Sequence, residues 1–489
     1  VAFVAHIFYG EYVKYFLDRL DALRNVQCDI YISVSPIVYE GFSDEIRNRL
    51  GPNLKGLEAV INRGRNFLPI TVTFVHALVT YDVVCHFHSK ESRYSGRKQT
   101  EWADYLIAAT LGPEDVVRRH IAMIASGQCE VVAPAPFRGL APWASHSLSN
   151  DAHLADLCSR LGIQSATGFM AYPVGGMFWM SGRVMRAIAS LGLTLDSFPE
   201  EPSRHDGEIH HALERFVGVL AQGRLAFFDQ VTGSYWDATA VIAAEIRRFM
   251  PPEDLIEVVK NYSIVSFDFF DTLCLRATGD EEWAKDRVDF ALGADYRSAR
   301  DAVEAELRAS LAPGRDVALT DISADMRRRG YEGAHHAAML ERAWDLESLE
   351  PNPLVAAAYV AAINGGKTVY IVSDTYYDSG FVREFLDRCD LPHPKAILVS
   401  SETGLRKDRG DIWPLLLRLA GFERVLHIGD NVQSDIQQAC DAGVETFYVS
   451  HWRNDYLPVS GLSAALRDRL RTNPAFRPTR DVPEALSVP

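Results

Sequence analysis

The stretch Ser263-Ile264-Val265-Ser266-Phe267-Asp268-Phe269-Phe270-Asp271-Thr272-Leu273 decides how the second half of this chain is read. Ile264–Phe267 is a short apolar run that stops at a carboxylate, Asp268. A run of that length, bounded by polar residues, suits a strand buried on both faces. Four more runs behave alike: Thr368–Val372, Ala396–Val399, Val425–Ile428 and Thr446–Val449. Each lies at or just before a polar, acidic or glycine residue, and helical patterns separate them. Short buried strands alternating with helices predict a doubly wound parallel sheet, in which ligands bind beyond the C-terminal strand ends.

Chemistry-bearing residues collect at those ends. After Asp268 come Ser373 and Asp374 in Ile371-Val372-Ser373-Asp374, then Lys407 with Gly410 nearby. Last comes Gly429-Asp430-Asn431-Val432-Gln433-Ser434-Asp435. A strand-end carboxylate can attack phosphorus and form an aspartyl-phosphate. A serine hydroxyl can hold a phosphate oxygen, and a lysine can neutralise nucleophile and phosphate together. Two further acids can hold Mg²⁺, a hard cation that takes oxygen ligands.

In this order the four motifs resemble the haloacid dehalogenase superfamily from about Ser263 to about Trp452, in the branch whose first motif reads DxFDTL and whose fourth reads HIGDNxxSD. His427-Ile428-Gly429-Asp430-Asn431 and Ser434-Asp435 match the latter. The resemblance implies that Asp268 is the nucleophile and that Ser373 and Lys407 bind phosphate. It also implies that Asp430 and the carbonyl of Phe270 bind Mg²⁺, with Asp435 supporting the metal. The long helical stretch from about Asp280 to Leu354 then resembles a cap over a small substrate. One position departs from the pattern. Most phosphatases of the superfamily carry an acid two residues after the nucleophile, to protonate the leaving group and activate water. Here that residue is Phe270, which can do neither. Asp271 is adjacent, but in an extended segment its side chain would point the other way. Dehalogenases also have an aromatic residue there. They need no metal, however, and this chain keeps Asp430 and Asp435, so phosphoryl chemistry is the expectation.

The first half alternates apolar runs (Val1–His6, Asp29–Val34, Val83–Phe87, Val131–Ala133, Val174–Met180) with helical patterns such as Glu11–Leu23 and Asp104–Ala109. The alternation predicts an α/β domain. Three clusters stand out. Asn62-Arg63-Gly64-Arg65-Asn66 follows a predicted strand, and Tyr81–Ser92 runs from a strand into a loop carrying His86, His88 and Lys90. Gly175-Gly176-Met177-Phe178-Trp179-Met180 precedes Arg204-His205-Asp206-Gly207-Glu208 and Glu214-Arg215. An Arg/Gly loop with His88 and Lys90 can hold a diphosphate through charge-assisted hydrogen bonds. Asp206 or Glu208 can act as base on a sugar hydroxyl. The structural alternatives are surface ion pairs for Arg63 and Arg65, a structural or zinc-binding pair for His86 and His88, and core packing for Phe178 and Trp179. Together the clusters resemble the rhamnan synthesis protein F family of surface-polysaccharide glycosyltransferases, from about Val1 to Gln230, and their order resembles a GT-A glycosyltransferase. That implies nucleotide-sugar binding by Asn62, Arg63, Gly64, Arg65, His86, His88 and Lys90. His211, Ala212, Glu214 and Arg215 fit the family's last segment, while Asn66 stands where an Asp is usual. No DxD occurs in this half, so a metal-independent site with basic side chains is expected there.

The whole chain has 489 residues and a formal net charge of -15. That length implies two or three domains. A chain this acidic is a poor general nucleic-acid binder. No apolar run reaches the roughly 18 residues that span a bilayer, and no signal peptide is visible. The seven cysteines are scattered without a CxxC, as expected of free thiols in a reducing cytoplasm. The tail carries Arg467, Arg469, Arg471, Arg477 and Arg480; it is read as solvated, with contact to an acidic surface or membrane assembly machinery as the alternative.

The expected architecture is α/β throughout. A GT-A-like domain occupies residues 1–245 and a Rossmannoid haloacid dehalogenase-type domain residues 255–455, with a cap at about 280–354 and a tail at 456–489. The boundary falls in the helical connector Ala238–Asn261, at Pro251-Pro252. The expected protein is a cytoplasmic, bifunctional enzyme of surface polysaccharide assembly. It takes a nucleotide sugar and a glycan acceptor in one half, and a small phosphorylated substrate with Mg²⁺ in the other. The rivals are a stand-alone metabolite phosphatase and a C-terminal domain kept only as a scaffold or regulatory module.

Overall fold

The computed structural model describes residues 1–449 apart from 91–99, 204–205, 250–253, 278–280, 293–294 and 313. The Pro251-Pro252 boundary, the start of the cap at Asp280, Glu91 and Ser92 of the basic loop, Arg204, His205 and the arginine-bearing tail lie outside the described residues. The chain divides into two compact units, Val1–Phe249 and the residues that follow.

The first unit is built on an eight-stranded mixed sheet. Its strands are β1 (Ala2–Ile7), β2 (Asp29–Val34), β3 (Leu54–Ala59), β4 (Val83–His88), β5 (Val131–Pro134), β6 (Phe178–Ser181), β7 (Leu225–Asp229) and β8 (Ser234–Asp237). Their order is β3-β2-β1-β4-β6-β5-β7-β8. The first four are parallel, and β6 runs against both β4 and β5. β1 and β4 are buried along their whole length, which explains their unbroken apolar runs. The apolar run Val174–Met180, read above as one strand, is a strand only at its C-terminal end. Gly175 and Gly176 adopt φ of 99° and 72°, a left-handed backbone that breaks the strand into a turn.

The second unit holds a five-stranded, all-parallel sheet. Two short strands flank the cap: β10 (Cys274–Arg276) and β11 (Leu349–Pro351). The sheet itself uses β9 (Ile264–Phe267), β12 (Thr368–Ser373), β13 (Ala396–Val399), β14 (Val425–Gly429) and β15 (Glu445–Tyr448), in the order β13-β12-β9-β14-β15. Side chains alternate across it. Val265, Phe267, Ile371 and Ile428 enter one apolar cluster, while Ile264, Tyr370, Val372 and Val425 pack with Trp413 and Leu416 on the other face. The cap carries the helices Trp283–Leu292, Tyr296–Ser310, Leu319–Arg328 and Ala334–Ser348, with a small core of its own around Val288, Tyr296, Ile322 and Trp344. β10 enters the cap and β11 leaves it, and the two pair antiparallel. The helix Pro353–Asn364 packs against the sheet unit instead, through Val355, Ala358, Tyr359 and Ala362.

Because each unit has its own sheet and core, separate expression of residues 1–249 and 254–489 is expected to give two soluble pieces. Each should show a cooperative thermal transition by circular dichroism. A piece that stays unfolded by that measure would refute their independence.

Candidate functional site

In the second unit the strand order reverses between β9 and β14. Register places Phe267 beside Ile371 on one side and Ile428 on the other. Asp268 follows β9, Ser373 ends β12 and Asp430 follows β14, so all three emerge at the same edge, as expected for the switch point of such a sheet. Alternation puts Asp268 on the same face as Ile264 and Ser266, away from Phe267 and Phe269.

Lys407 joins the set from the loop after the short helix Ser400–Thr403. Its Nζ lies 2.5 Å from Asp268 Oδ1 and 2.5 Å from Asp435 Oδ1. The carboxylate of Asp374 holds this loop by accepting from the backbone N–H groups of Lys407 and Asp408, at 2.8 and 3.2 Å. Thr272 Oγ1 donates toward Asp430 Oδ1 at 3.0 Å and is 3.3 Å from Asp268 Oδ2. Asp268, Asp430 and Asp435 are all buried, with ligand-type oxygens within 4.8 Å of one another. Burial pushes the Asp268 carboxyl up to about 7, with the Asp435 charge adding and Lys407 opposing. Burial also lifts Asp430, reinforced by the charges of Asp271, Asp268 and Asp435. Asp435 goes the other way: burial would raise it, but Lys407 and the His427 hydrogen bond hold it well below the usual range. Several hard oxygen anions face one ammonium here, a donor set that suits a divalent cation such as Mg²⁺.

Two residues of this site were quoted in the sequence motifs without a role. Ser266 Oγ lies 2.8 Å from His427 Nδ1, and His427 Nε2 lies 3.2 Å from Asp435 Oδ1. A ring nitrogen facing a carboxylate is the donor, so Nε2 carries the proton and Ser266 donates to Nδ1. Burial lowers the His427 pKa, and the ring rests against Trp413. A line of contacts thus runs Ser266–His427–Asp435–Lys407–Asp268. Asp435 Oδ2 accepts from the Asn431 N–H at 3.0 Å. Gly429 cannot carry a side chain, because an added Cβ would fall 2.4 Å from Asp435 Cβ. Removing the ring in His427→Leu is expected to lower phosphoryl-transfer rate or Mg²⁺ affinity about 10–100-fold, the usual effect of losing a hydrogen-bond support behind a metal-site carboxylate. Mg²⁺ titration of the initial rate checks it, and an unchanged titration would contradict the line.

The segment after Asp268 does not stay extended. Asp271 has φ 55°, so the chain turns there and the Asp271 carboxylate comes close enough to raise Asp430. The expectation that it points elsewhere held only for an extended segment. Phe270 joins an aromatic group with Phe269, Tyr377 and Phe381 at centroid distances of 4.9, 6.3 and 6.0 Å. The Arg276 guanidinium lies 4.5 Å over its ring and 3.7 Å from Asp271 Oδ2. Arg276 is also bonded to Asp345 of the cap.

In the first unit the strand order reverses between β1 and β4, and the basic loop leaves β4 there. Ser89 Oγ accepts from the N–H of Phe8 at 2.8 Å, tying the two strand ends together. The ring of His86 lies between the carbonyls of Gly176 and Asn66, at 2.7 and 2.8 Å. The ring of His88 lies between those of Gly175 and Ser89, at 2.9 and 3.0 Å. All four ring nitrogens face backbone carbonyls; burial holds both rings below their usual pKa, so each neutral ring donates to one of its two carbonyls. The Lys90 ammonium sits 4.1 Å over the Trp102 ring.

The motif Asn62–Asn66 divides. Arg65 reaches Glu201, Ser203 and His211. Arg63 turns to the carbonyl of Phe198 and to Asp196, Asn62 is exposed, and Gly64 has φ 74° with a Cβ position 2.9 Å from the Phe198 ring. Asp206 Oδ1 accepts from Asn150 Nδ2 at 2.8 Å and faces Arg215 at 3.6 Å. Glu208 stands at the N-terminus of the helix Ile209–Leu220, where its backbone carbonyl accepts from the His211 N–H at 2.9 Å and its own N–H donates to His211 Nδ1 at 3.3 Å. Glu214 Oε1 accepts from the Gly175 N–H at 3.0 Å.

The known proteins that this chain is similar to match different shares of it. The family model of rhamnan synthesis protein F matches residues 1–225. The uncharacterized protein WxcX of Xanthomonas campestris pv. campestris (strain B100) is 26% identical over 214 residues, which are 42% of this chain and 30% of that protein. The chain thus spans about a third of the length of the curated relatives it matches. Among solved structures, a HAD phosphatase from Thermococcus onnurineus shares 17% identity over 39% of this chain and 87% of its own, at a TM-score of 0.27. S. aureus TarS 1-349 shares 13% over 75% and 90%, also at 0.27. No helix among the described residues is long and apolar enough to cross a membrane.

Proposed function

We propose that the second unit transfers phosphoryl groups through an aspartyl-phosphate on Asp268. The observation that carries this reading is the Lys407 bridge between Asp268 and Asp435, with Asp430 completing a buried oxygen cluster at the strand ends. Asp430, the Phe270 carbonyl and Asp268 would hold Mg²⁺, with Asp435 supporting them. When bound, the cation neutralises charge on the phosphoryl oxygens and keeps Asp268 ionised. Lys407 holds the Asp268 oxygen and remains charged beside the incoming phosphate. Asp268 attacks phosphorus, and the bond to the leaving oxygen breaks with its electron pair. Phe270 offers that oxygen no proton, so leaving groups that depart as stable anions are favoured.

The first unit is read as a glycosyltransferase of surface polysaccharide assembly, taking a nucleotide sugar at the β1/β4 strand ends. The family match over residues 1–225 and the basic niche of Arg65 and Lys90 support this reading. The carbonyl-bound rings of His86 and His88 then shape the niche rather than touch the donor. The test for the second unit uses the full chain with Mg²⁺ and p-nitrophenyl phosphate, quenched in acid and digested. A phosphorylated peptide containing Asp268 is expected. Nitrophenol release with phosphate on another residue, or no release at any Mg²⁺ concentration, sinks the assignment.

A further inference from the structure

Three carboxylates of the first unit, Asp206, Glu208 and Glu214, have settings that differ. Glu208 stands at the N-terminus of the helix Ile209–Leu220, with its backbone N–H donating to His211 Nδ1. Asp206 is held by Asn150 and faces the Arg215 guanidinium through one oxygen, and its other oxygen is sealed from solvent with no hydrogen bond. A hydroxyl on an incoming sugar cannot reach a sealed atom.

Glu214 is placed otherwise. It projects from the helix Ile209–Leu220 toward the turn at Gly175 and Gly176. One oxygen is oriented by the Gly175 N–H at 3.0 Å, while the other is no closer than 3.9 Å to Arg215 Nη1. Its side chain keeps 18% exposure, so it is reachable from outside. A Cβ on Gly176 would lie 3.3 Å from Glu214 Oε1, 3.3 Å from His88 Nε2 and 2.5 Å from Asn66 Nδ2. Glycine is therefore required at this position, where those three groups close on the backbone. Burial raises the Glu214 carboxyl, Lys90 and Arg215 oppose it, and the Asp206 charge adds to the rise. A carboxylate whose pKa is lifted is better matched to accept a proton near neutrality.

We infer that Glu214 is the base that deprotonates the acceptor hydroxyl in the first unit, with Lys90 beside it to receive the departing diphosphate; the inference rests on the sugar-transfer reading above. The acceptor O–H breaks and its proton moves to Glu214 Oε2. The acceptor oxygen forms a bond to the anomeric carbon, and the bond from that carbon to the phosphate oxygen breaks with its electron pair. The nucleoside diphosphate leaves as an anion against Lys90, and Glu214 returns its proton to water.

The experiment uses the full chain with dTDP-rhamnose, UDP-glucose and UDP-N-acetylglucosamine as donors and water as acceptor, reading release of the nucleoside diphosphate. Glu214→Gln keeps an acceptor for the Gly175 N–H but cannot take the proton. Its expected result is a kcat lower by about 10²–10⁴-fold, an unchanged donor Kd by calorimetry, and loss of the limb of the pH–rate profile that rises as Glu214 ionises. Glu214→Asp, a shorter base, keeps that limb at reduced kcat and covers the case in which the Gln variant does not fold. Asp206→Asn should retain the limb. A Gln variant with wild-type kcat and pH profile overturns the inference, as does loss of the limb in Asp206→Asn alone. No release from any donor by the wild type overturns the sugar-transfer reading itself.

Discussion

Asp268→Asn is expected to lower phosphoryl transfer by about 10⁴-fold or more, since the amide cannot form the covalent intermediate and losses of that order follow removal of a nucleophile. The fold should survive. Asp268 sits past the end of β9 rather than in the apolar cluster, and its amide N–H donates to the Ile428 carbonyl at 2.8 Å whatever the side chain. Lys407 loses one anionic partner but keeps Asp435 at 2.5 Å. The like-charge pressure on Asp430 falls at the same time. Single-turnover kinetics, with circular dichroism on the same preparation, separates chemistry from folding. A folded Asn variant turning over at the wild-type rate would falsify the nucleophile assignment.

Phe270→Asp is expected to act in the opposite direction. The wild-type site has no acid or base two residues after Asp268, so breakdown of the phosphoenzyme by water should be slow and phospho-Asp268 should accumulate. A carboxylate at 270 can supply both proton transfers, worth on the order of 10²–10⁴-fold. The structure offers that charge a partner, because the Arg276 guanidinium already lies 4.5 Å over the Phe270 ring. The substitution also opens the aromatic group around Tyr377 and Phe381, at a cost in stability of about 3–5 kcal/mol typical of Phe truncation. The Asp variant should hydrolyse alkyl phosphates faster than wild type and trap less intermediate. Asp271→Asn is the control. Asp271 sits in a left-handed turn and its charge reaches Asp430, so if it already supplies the proton, the Asn variant will trap more intermediate and Phe270→Asp will add nothing.

The parallel sheet of the second unit was legible because each strand is an apolar run ending at a polar group, and β9, β12, β13 and β14 lie within a residue of the expected runs. The strands β10 and β11 were not. They are three residues long, contain Arg276 and Glu350, and pair across the whole cap, so no local periodicity marks them. Ser266 and His427 were quoted in the motifs but given no role. Their contact follows from the pairing of β9 with β14, which puts His427 level with Ser266. A signal existed, since Ser266 and Asp268 share a face by alternation. In the first unit, the motif Asn62–Asn66 was read as one cluster. A left-handed Gly64 between Arg63 and Arg65 separates their directions, and a sequence does not show on which side of such a turn each side chain falls.

The pairing of Arg276 with Leu349 has a consequence for how the cap can vary. The two chain ends that enter and leave it are held side by side, so the insertion is closed at its base like a loop on a stem. The entropy of closing a loop grows only with the logarithm of its length, about 0.6 kcal/mol for each doubling. Lengthening, shortening or exchanging the four helices therefore perturbs the sheet little, provided the stem and its Arg276–Asp345 tie are kept. The strand edge that carries Asp268 and the helical insertion can therefore drift apart in sequence at different rates.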